Sequence, residues 1–241
     1  MIVGIGPGNK NLITPEVTNA INNATDLVGY RTYVKRVPKR ANLTVHETDN
    51  RVEVSRAIHA LKLAELGKKV VIVSSGDPGV FAMASALLEA LENGSKSWKR
   101  LDIQILPGIT AMLAAAAQLG APLGHDFCAI NLSDNLKPWE IIERRLRLSL
   151  EADFVISLYN PRSVARPFQF DKVLKIVNDT CQTDRLIIFA KSVTTPKQNI
   201  RIFNINEAKS EMVDMSTIVI IGSSRTRRLK GTRFVYTPRS T

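Results

Sequence analysis

Ile2-Val3-Gly4-Ile5-Gly6-Pro7-Gly8 decides the fold. It reads as an apolar β-strand that runs straight into a Gly-Pro-Gly turn, the opening of an α/β sheet. It is not a dinucleotide fingerprint. That loop needs G-x-G-x-x-G, with backbone N–H groups available to hold a pyrophosphate. Here Asn9 stands at the third required position, and Pro7 removes a donor where a phosphate would bind. Asp26 lies at the distance of a ribose-binding acid, but it precedes Leu27-Val28-Gly29 instead of ending a strand.

Working outward, the first half alternates strands and helices. Ile2–Ile5, Val70–Ser74 and Asp102–Leu106 read as strands. Glu53–Leu66, Met83–Leu91 and Thr110–Leu119 carry apolar residues at helical spacing. Continuous apolar strands with helices between them predict a parallel sheet covered on both faces. Gly120-Ala121-Pro122-Leu123-Gly124 is the best break, dividing the chain into lobes 1–121 and 122–241. In the second lobe Asp126–Asn131, Asp153–Tyr159, Arg185–Lys191, Asn199–Asn204, Thr217–Ile221 and Arg233–Thr237 read as strands. Helices are expected at Trp139–Leu150 and Phe170–Asp179, so the lobe is read as a mixed sheet. Arg225 to Lys230 is expected to be mobile or to face a ligand. The fold class is two-lobed α/β.

Composition bounds the function. The 241 residues are 44 % apolar, enough for a substantial core. No apolar run reaches the roughly 18 residues of a membrane helix, and Met1 leads directly into the first strand without a signal peptide. Cys128 and Cys181 fit neither a disulfide framework nor a metal pattern and read as buried structural thiols. The histidines, His46, His59 and His125, are scattered in sequence, and no metal site is expected. A cytoplasmic protein follows as the expectation. The net charge of +11 favours a polyanion: nucleic acid, or a small molecule with many carboxylates. Aromatic residues make up only 6 %, which argues against base stacking and nucleic acid.

Two further strand ends repeat the first device. Ser75-Gly76-Asp77-Pro78-Gly79-Val80-Phe81 follows one strand, and Leu106-Pro107-Gly108-Ile109-Thr110-Ala111 follows another. Open α/β sheets bind ligands at the carboxyl ends of their strands. Three glycine turns meeting there form a backbone-lined cradle for a ligand that carries no phosphate, such as S-adenosylmethionine with its positive sulfonium. Asp77 suits a polar group of that ligand, or the cap of the following helix.

These three strings, in this order and spacing, resemble the tetrapyrrole methylase family. Gly120–Ile130, Leu132-Ser133-Asp134, Trp139–Leu146 and Leu158-Tyr159-Asn160-Pro161-Arg162-Ser163 are similar to the corrin-synthesis branch that couples C-methylation to ring contraction. The Lys191-Ser192-Val193-Thr194-Thr195-Pro196 loop departs from the family pattern. The resemblance implies S-adenosylmethionine folded in a cleft between two lobes, S-adenosylhomocysteine as product, a polycarboxylate tetrapyrrole substrate and a homodimer. Carried over motif by motif, the cofactor neighbours would be Pro7, Ser75, Gly76, Asp77, Val80, Phe81, Thr110, Ala111, Tyr159, Asn160, Val193, Thr217 and Ile218.

Methyl transfer needs alignment and exclusion of water more than a covalent intermediate. Ring contraction adds a need for proton transfer, for which His125, Asp126, Ser133, Asp134 and Tyr159 are candidates. His125 reads more readily as a satisfied loop residue, and Asp134 equally well as a turn or cap. Arg31, Arg162 and Arg225 are the candidates to grip substrate carboxylates, with Lys35, Arg36, Arg227 and Arg228 nearby in sequence. Each can also be a solvated surface charge. The same fold serves RNA and protein methylation, and the Tyr159–Ser163 string is what separates these from tetrapyrrole chemistry.

Overall fold

The opening apolar run becomes β1 (Ile2–Gly4), and its turn leads into α1 (Pro15–Asn23). Thr14 caps that helix, its Oγ1 accepting from Val17 N, and Pro15 sits where a missing N–H costs nothing. Then come β2 (Asp26–Tyr30), the short α2 (Arg31–Val34), β3 (Thr44–Thr48) and α3 (Glu53–Glu65). The half ends with β4 (Val70–Ser74), α4 (Met83–Glu92) and β5 (Ile105–Leu106). This computed structural model describes residues 1–49 and 52–240.

The strands form one sheet in the order β3-β2-β4-β1-β5, and every pair is parallel. Burial is continuous along β1, β2 and β4 because both faces are covered. Ile2, Val28, Val70 and Ile72 pack on α3 and α4. Val3, Ile5, Leu27, Val71 and Val73 pack on α1 and the segment around Val34. A parallel sheet sandwiched by helices places the ends of β4, β1 and β5 side by side along one edge.

The second half comprises α5 (Ala111–Leu119), β6 (Gly120–Ala121), β7 (Phe127–Asn131), α6 (Trp139–Glu151), β8 (Val155–Tyr159) and α7 (Gln169–Thr180). It continues with β9 (Leu186–Lys191), β10 (Asn199–Asn204), β11 (Thr217–Ile221), β12 (Arg227–Arg228) and β13 (Val235–Tyr236). The main sheet runs β10-β9-β11-β8-β7, with β7 and β8 parallel and the other pairs antiparallel. One face packs on α6 and α7 through Ile156, Leu158, Phe170, Val173, Phe189 and Val219. The alanine-rich α5 lies against β11.

Contacts divide the chain into two compact units, Met1–Thr110 and Ala111–Thr241. The Gly120–Gly124 stretch lies inside the second unit, where Gly120 and Ala121 pair with Val235 and Tyr236. Its backbone groups are used in that small sheet, and Thr237 N donates to Ala121 O at 3.0 Å. Within the basic stretch, Arg227 and Arg228 pair with Tyr236 and Val235 as a two-residue strand. Arg31 to Val34 form a helical turn.

Candidate functional site

In the first unit three turns lock together at the carboxyl edge of the sheet. Gly6 and Gly76 exchange backbone hydrogen bonds of 3.2 and 3.0 Å. Adding a Cβ to Gly108 would bring it 2.2 Å from Gly76 O and 2.6 Å from Gly4 O. A Cβ on Gly4 would lie 2.5 Å from Gly76 O and 2.7 Å from Gly108 N. Glycine is required here because three backbones touch one another.

Asp77 fastens this lock. Its Oδ2 accepts from Gly108 N at 3.0 Å and its Oδ1 from Gly79 N at 2.7 Å. It does not cap α4, whose N-cap is Ala82 without a side-chain bond. Arg36, read from sequence as a carboxylate grip, holds the first turn instead. Its guanidinium donates to Ile5 O at 2.6 Å, Gly6 O at 3.0 Å and Gly8 O at 3.4 Å. Burial pushes the Arg36 guanidinium below its ordinary pKa, opposed by Tyr33. Drawing these carbonyls inward is work that a cation does well.

Each turn also holds a proline, Pro7, Pro78 and Pro107, and so offers one donor fewer. A phosphate has little to hold on to here. Phe81 follows at φ +52° with its side chain 45 % exposed. A bulky residue held at positive φ costs energy and concentrates at functional sites. Ser75, Val80 and Pro7 are half-buried around these turns, and Thr110 is buried. A tight, backbone-lined edge without phosphate donors fits the adenosyl and sulfonium parts of S-adenosylmethionine. Arg31 lies at the end of β2, exposed and paired with Glu47 at 3.3 Å.

The second unit gathers a further set at one end of its main sheet. Tyr159 ends β8 and Asn160 follows it, Val193 follows β9, and Thr217 and Ile218 begin the antiparallel β11 beside them. Tyr159 Oη accepts from Met112 N at 3.2 Å, satisfying a donor in the first turn of α5, which starts at Ala111. Asn160, Ser192 and Thr194 adopt φ of +54°, +49° and +65°. Thr217 is buried, its Oγ1 bonded to Asp214 Oδ1 at 2.9 Å, and Val193 and Ile218 are buried too. Asp214 in turn meets Lys191 at 2.6 Å.

Asp134 lies at this same end, past β7. Its Oδ2 accepts from Gln169 Nε2 at 3.0 Å, and its Oδ1 stands 3.9 Å from Arg166 Nε. Arg162 donates from Nε to Pro167 O at 3.1 Å, which leaves its terminal nitrogens for another partner. Asn131, which sequence reasoning missed, accepts from both Asn160 Nδ2 and Ser133 N at 2.9 Å.

His125 and Arg225 fall elsewhere. His125 and Asp126 precede β7, which runs parallel to β8, so they lie at the sheet end opposite Tyr159. The separation is roughly a strand length, about 15 Å. His125 Nδ1 lies 3.8 Å from Asp126 Oδ2; His125 is half-buried and Asp126 exposed. Arg225 follows β11, antiparallel to β8, and therefore also sits at the far end. There it lines an open groove with Arg227, Arg228, Asp184 and Glu207. His125 and Arg225 thus do not join Tyr159, Asp134 and Arg162.

Two expectations about titratable groups change as well. His46 and His59, scattered in sequence, are in contact: His59 Nε2 lies 3.1 Å from His46 Nδ1, and His46 Nε2 lies 2.8 Å from the buried Asp26 Oδ1. Burial pushes the Asp26 carboxyl up, but bonds from Thr25 and His46 and the charges of His46 and Lys68 outweigh it and hold it below its ordinary value. Cys128 and Cys181 are half-buried, and burial pushes both thiols up, as inert structural thiols require.

The family model for tetrapyrrole (corrin/porphyrin) methylases matches residues 1–209. A precorrin-3B C(17)-methyltransferase from Sinorhizobium sp is 48 % identical over 99 % of this chain and 95 % of its own. A probable cobalt-factor III C(17)-methyltransferase from Salmonella typhimurium is 37 % identical, covering 93 % of this chain and 92 % of its own. The crystal structure of the methyltransferase CobJ superimposes with a TM-score of 0.95 at 58 % identity, covering 98 % of both chains.

Proposed function

We propose a reaction from one premise: the chain belongs to the tetrapyrrole (corrin/porphyrin) methylase family. The reaction is C-methylation of precorrin-3B at carbon 17 with ring contraction, giving precorrin-4. S-adenosylmethionine is the methyl donor and S-adenosylhomocysteine the product. The observation that carries this reading is the three-turn glycine lock, which presents backbone and an exposed, strained Phe81 with few donors for a phosphate. The relative with 48 % identity supports carbon 17 of a metal-free ring over the cobalt-bearing ring of the 37 % relative.

The donor supplies a methyl already activated by positive sulfur. The chain's residues must hold both reactants in line and keep water out, which is worth about 7–11 kcal/mol when orientation is good. In this reading Arg36 and Asp77 hold the turns at Gly6, Gly76 and Gly108 while Phe81 closes over the adenosyl group. In the second unit, the residues this reading assigns to the donor are Tyr159, Asn160, Val193, Thr217 and Ile218. Asp134, oriented by Gln169, takes the proton that ring contraction releases, and Arg162 and Arg31 grip acetate and propionate groups. A cytoplasmic homodimer is part of the same reading. Light scattering of purified protein tests the dimer.

The test of the reaction is isothermal calorimetry with S-adenosylhomocysteine, followed by turnover of precorrin-3B with and without cobalt. Micromolar uptake and conversion of the metal-free ring are expected. Conversion of the cobalt form alone would move the assignment to the cobalt branch.

A further inference from the structure

Arg166 was not singled out by its sequence, yet it is among the most deeply placed cations of the second unit. Only 9 % of its side chain is exposed. A tight turn sets it: Ser163 and Arg166 exchange backbone bonds of 3.2 and 3.1 Å across the exposed Val164 and Ala165. That turn sends the guanidinium under the loops instead of into solvent. Nη1 donates to Leu132 O at 3.1 Å and to Asn160 O at 3.4 Å, and Nη2 lies 3.6 Å from Met215 Sδ. Nε forms a long ion pair with Asp134 Oδ1 at 3.9 Å, beyond hydrogen-bond distance.

One side chain therefore ties together the loops after β7 and β8 and the loop before β11. Those loops carry Asp134 and Asn160 and lead into Thr217, the first residue of β11. Asn160 is held at positive φ, a conformation that needs outside support, and its own carbonyl is one of the guanidinium's acceptors. The buried charge is met chiefly by carbonyl dipoles. Removing it strands the buried Leu132 carbonyl and the half-buried Asn160 carbonyl and releases the strained turn together.

We infer that Arg166 is a positioning residue for methyl transfer, which holds the Tyr159–Asn160 turn and the Asp134 carboxylate in register. The inference rests on the proposed methyltransferase reading and adds a residue to it. Arg162, its neighbour in sequence, has a different task, since its terminal nitrogens remain available to a substrate.

The test compares Arg166→Met, Arg166→Lys and a control, Arg40→Met. Arg40 plays the same chemical part away from the site, capping α1 through Ile21 O and Ala24 O. The readouts are S-adenosylhomocysteine affinity by calorimetry, kcat and KM for precorrin-3B, and Tm. Arg166→Met should weaken S-adenosylhomocysteine at least tenfold and lower kcat more than it raises KM. Arg166→Lys, which restores the charge but not the fork of donors, should recover part of both. Arg40→Met should lower Tm while leaving affinity and kcat within twofold.

Arg166 variants that behave like Arg40→Met, losing Tm alone, would overturn the inference. If Arg166→Met fails to fold, Arg166→Lys carries the test, and affinity and kcat within twofold of wild type would overturn it. Wild-type protein that takes up no S-adenosylhomocysteine would overturn the methyltransferase reading itself, a result seen before any substitution is made.

Discussion

Replacing Gly108 with alanine perturbs the glycine lock at its tightest point. The new methyl would lie 2.2 Å from Gly76 O, 2.6 Å from Gly4 O and 2.7 Å from Gly4 C. All three are backbone atoms, so no rotamer change relieves the clash. Carbon–oxygen contact near 3.4 Å requires the turns to part by about 1 Å. Overpacking of this kind costs about 1–3 kcal/mol. Parting the turns also strains the Gly6–Gly76 pair and the Asp77–Gly108 bond, each worth about 1 kcal/mol or more. A loss of about 3 kcal/mol should lower Tm by about 6–12 °C in a chain of this size. A 1 Å shift at the methyl donor should cost about 100-fold in kcat. Differential scanning calorimetry and initial rates at a temperature where the variant is folded make the assay. Gly67→Ala is the comparison, because a Cβ there meets nothing within 4 Å and only its φ of +79° opposes the change. Gly108→Ala with wild-type Tm and kcat would refute the reasoning.

Two other expectations follow from named contacts. Arg162→Ala should raise KM for the tetrapyrrole far more than for S-adenosylmethionine, and equal effects in steady-state kinetics would remove Arg162 from the substrate site. The His59 imidazole is pushed below its ordinary pKa of 6.5 by burial and by the His46 and Lys62 charges, against the pull of Asp26. The unfolded chain therefore binds a proton first as pH falls. The contribution of His59 to stability is full above 6.5 and is lost as pH falls below it toward the folded value. Urea unfolding across this range should show the decline, and His59→Gln should flatten it; an unchanged slope in the variant would contradict the contact.

How much of this was legible in sequence depended on the kind of signal. β1 and β4 are continuous apolar runs buried on both faces, and the spans of β10 and β11 were read to the residue. β2 was missed because Asp26 and Gly29 interrupt its apolar pattern; Asp26 opens the strand and is buried against His46. β3, Thr-Val-His-Glu-Thr, is an edge strand with a half-exposed, polar pattern, and nothing in its period marks it. β5 shrank to two residues.

The site was read unevenly for a geometric reason. The glycine turns follow their strands directly, so their placement at one edge needs only parallel pairing. His125 and Arg225 required the direction of each strand to be known. His125 precedes β7 and Arg225 follows an antiparallel β11, and both rules send them to the far end. Arg36 was chosen for its charge, but its partners are carbonyls of the first turn, a contact thirty residues away that no local pattern reveals. Arg166 lay just past the quoted Tyr159–Ser163 string, and only the Ser163–Arg166 turn shows that it points inward.

The most direct test supplies precorrin-3B with S-adenosylmethionine labelled in its methyl group, and follows the label by mass spectrometry. One labelled methyl on a contracted ring, lost when the Gly4–Gly76–Gly108 lock is broken, is the predicted result. Label that stays on the donor, or that appears on RNA or protein while folded enzyme and substrate are both present, would contradict it.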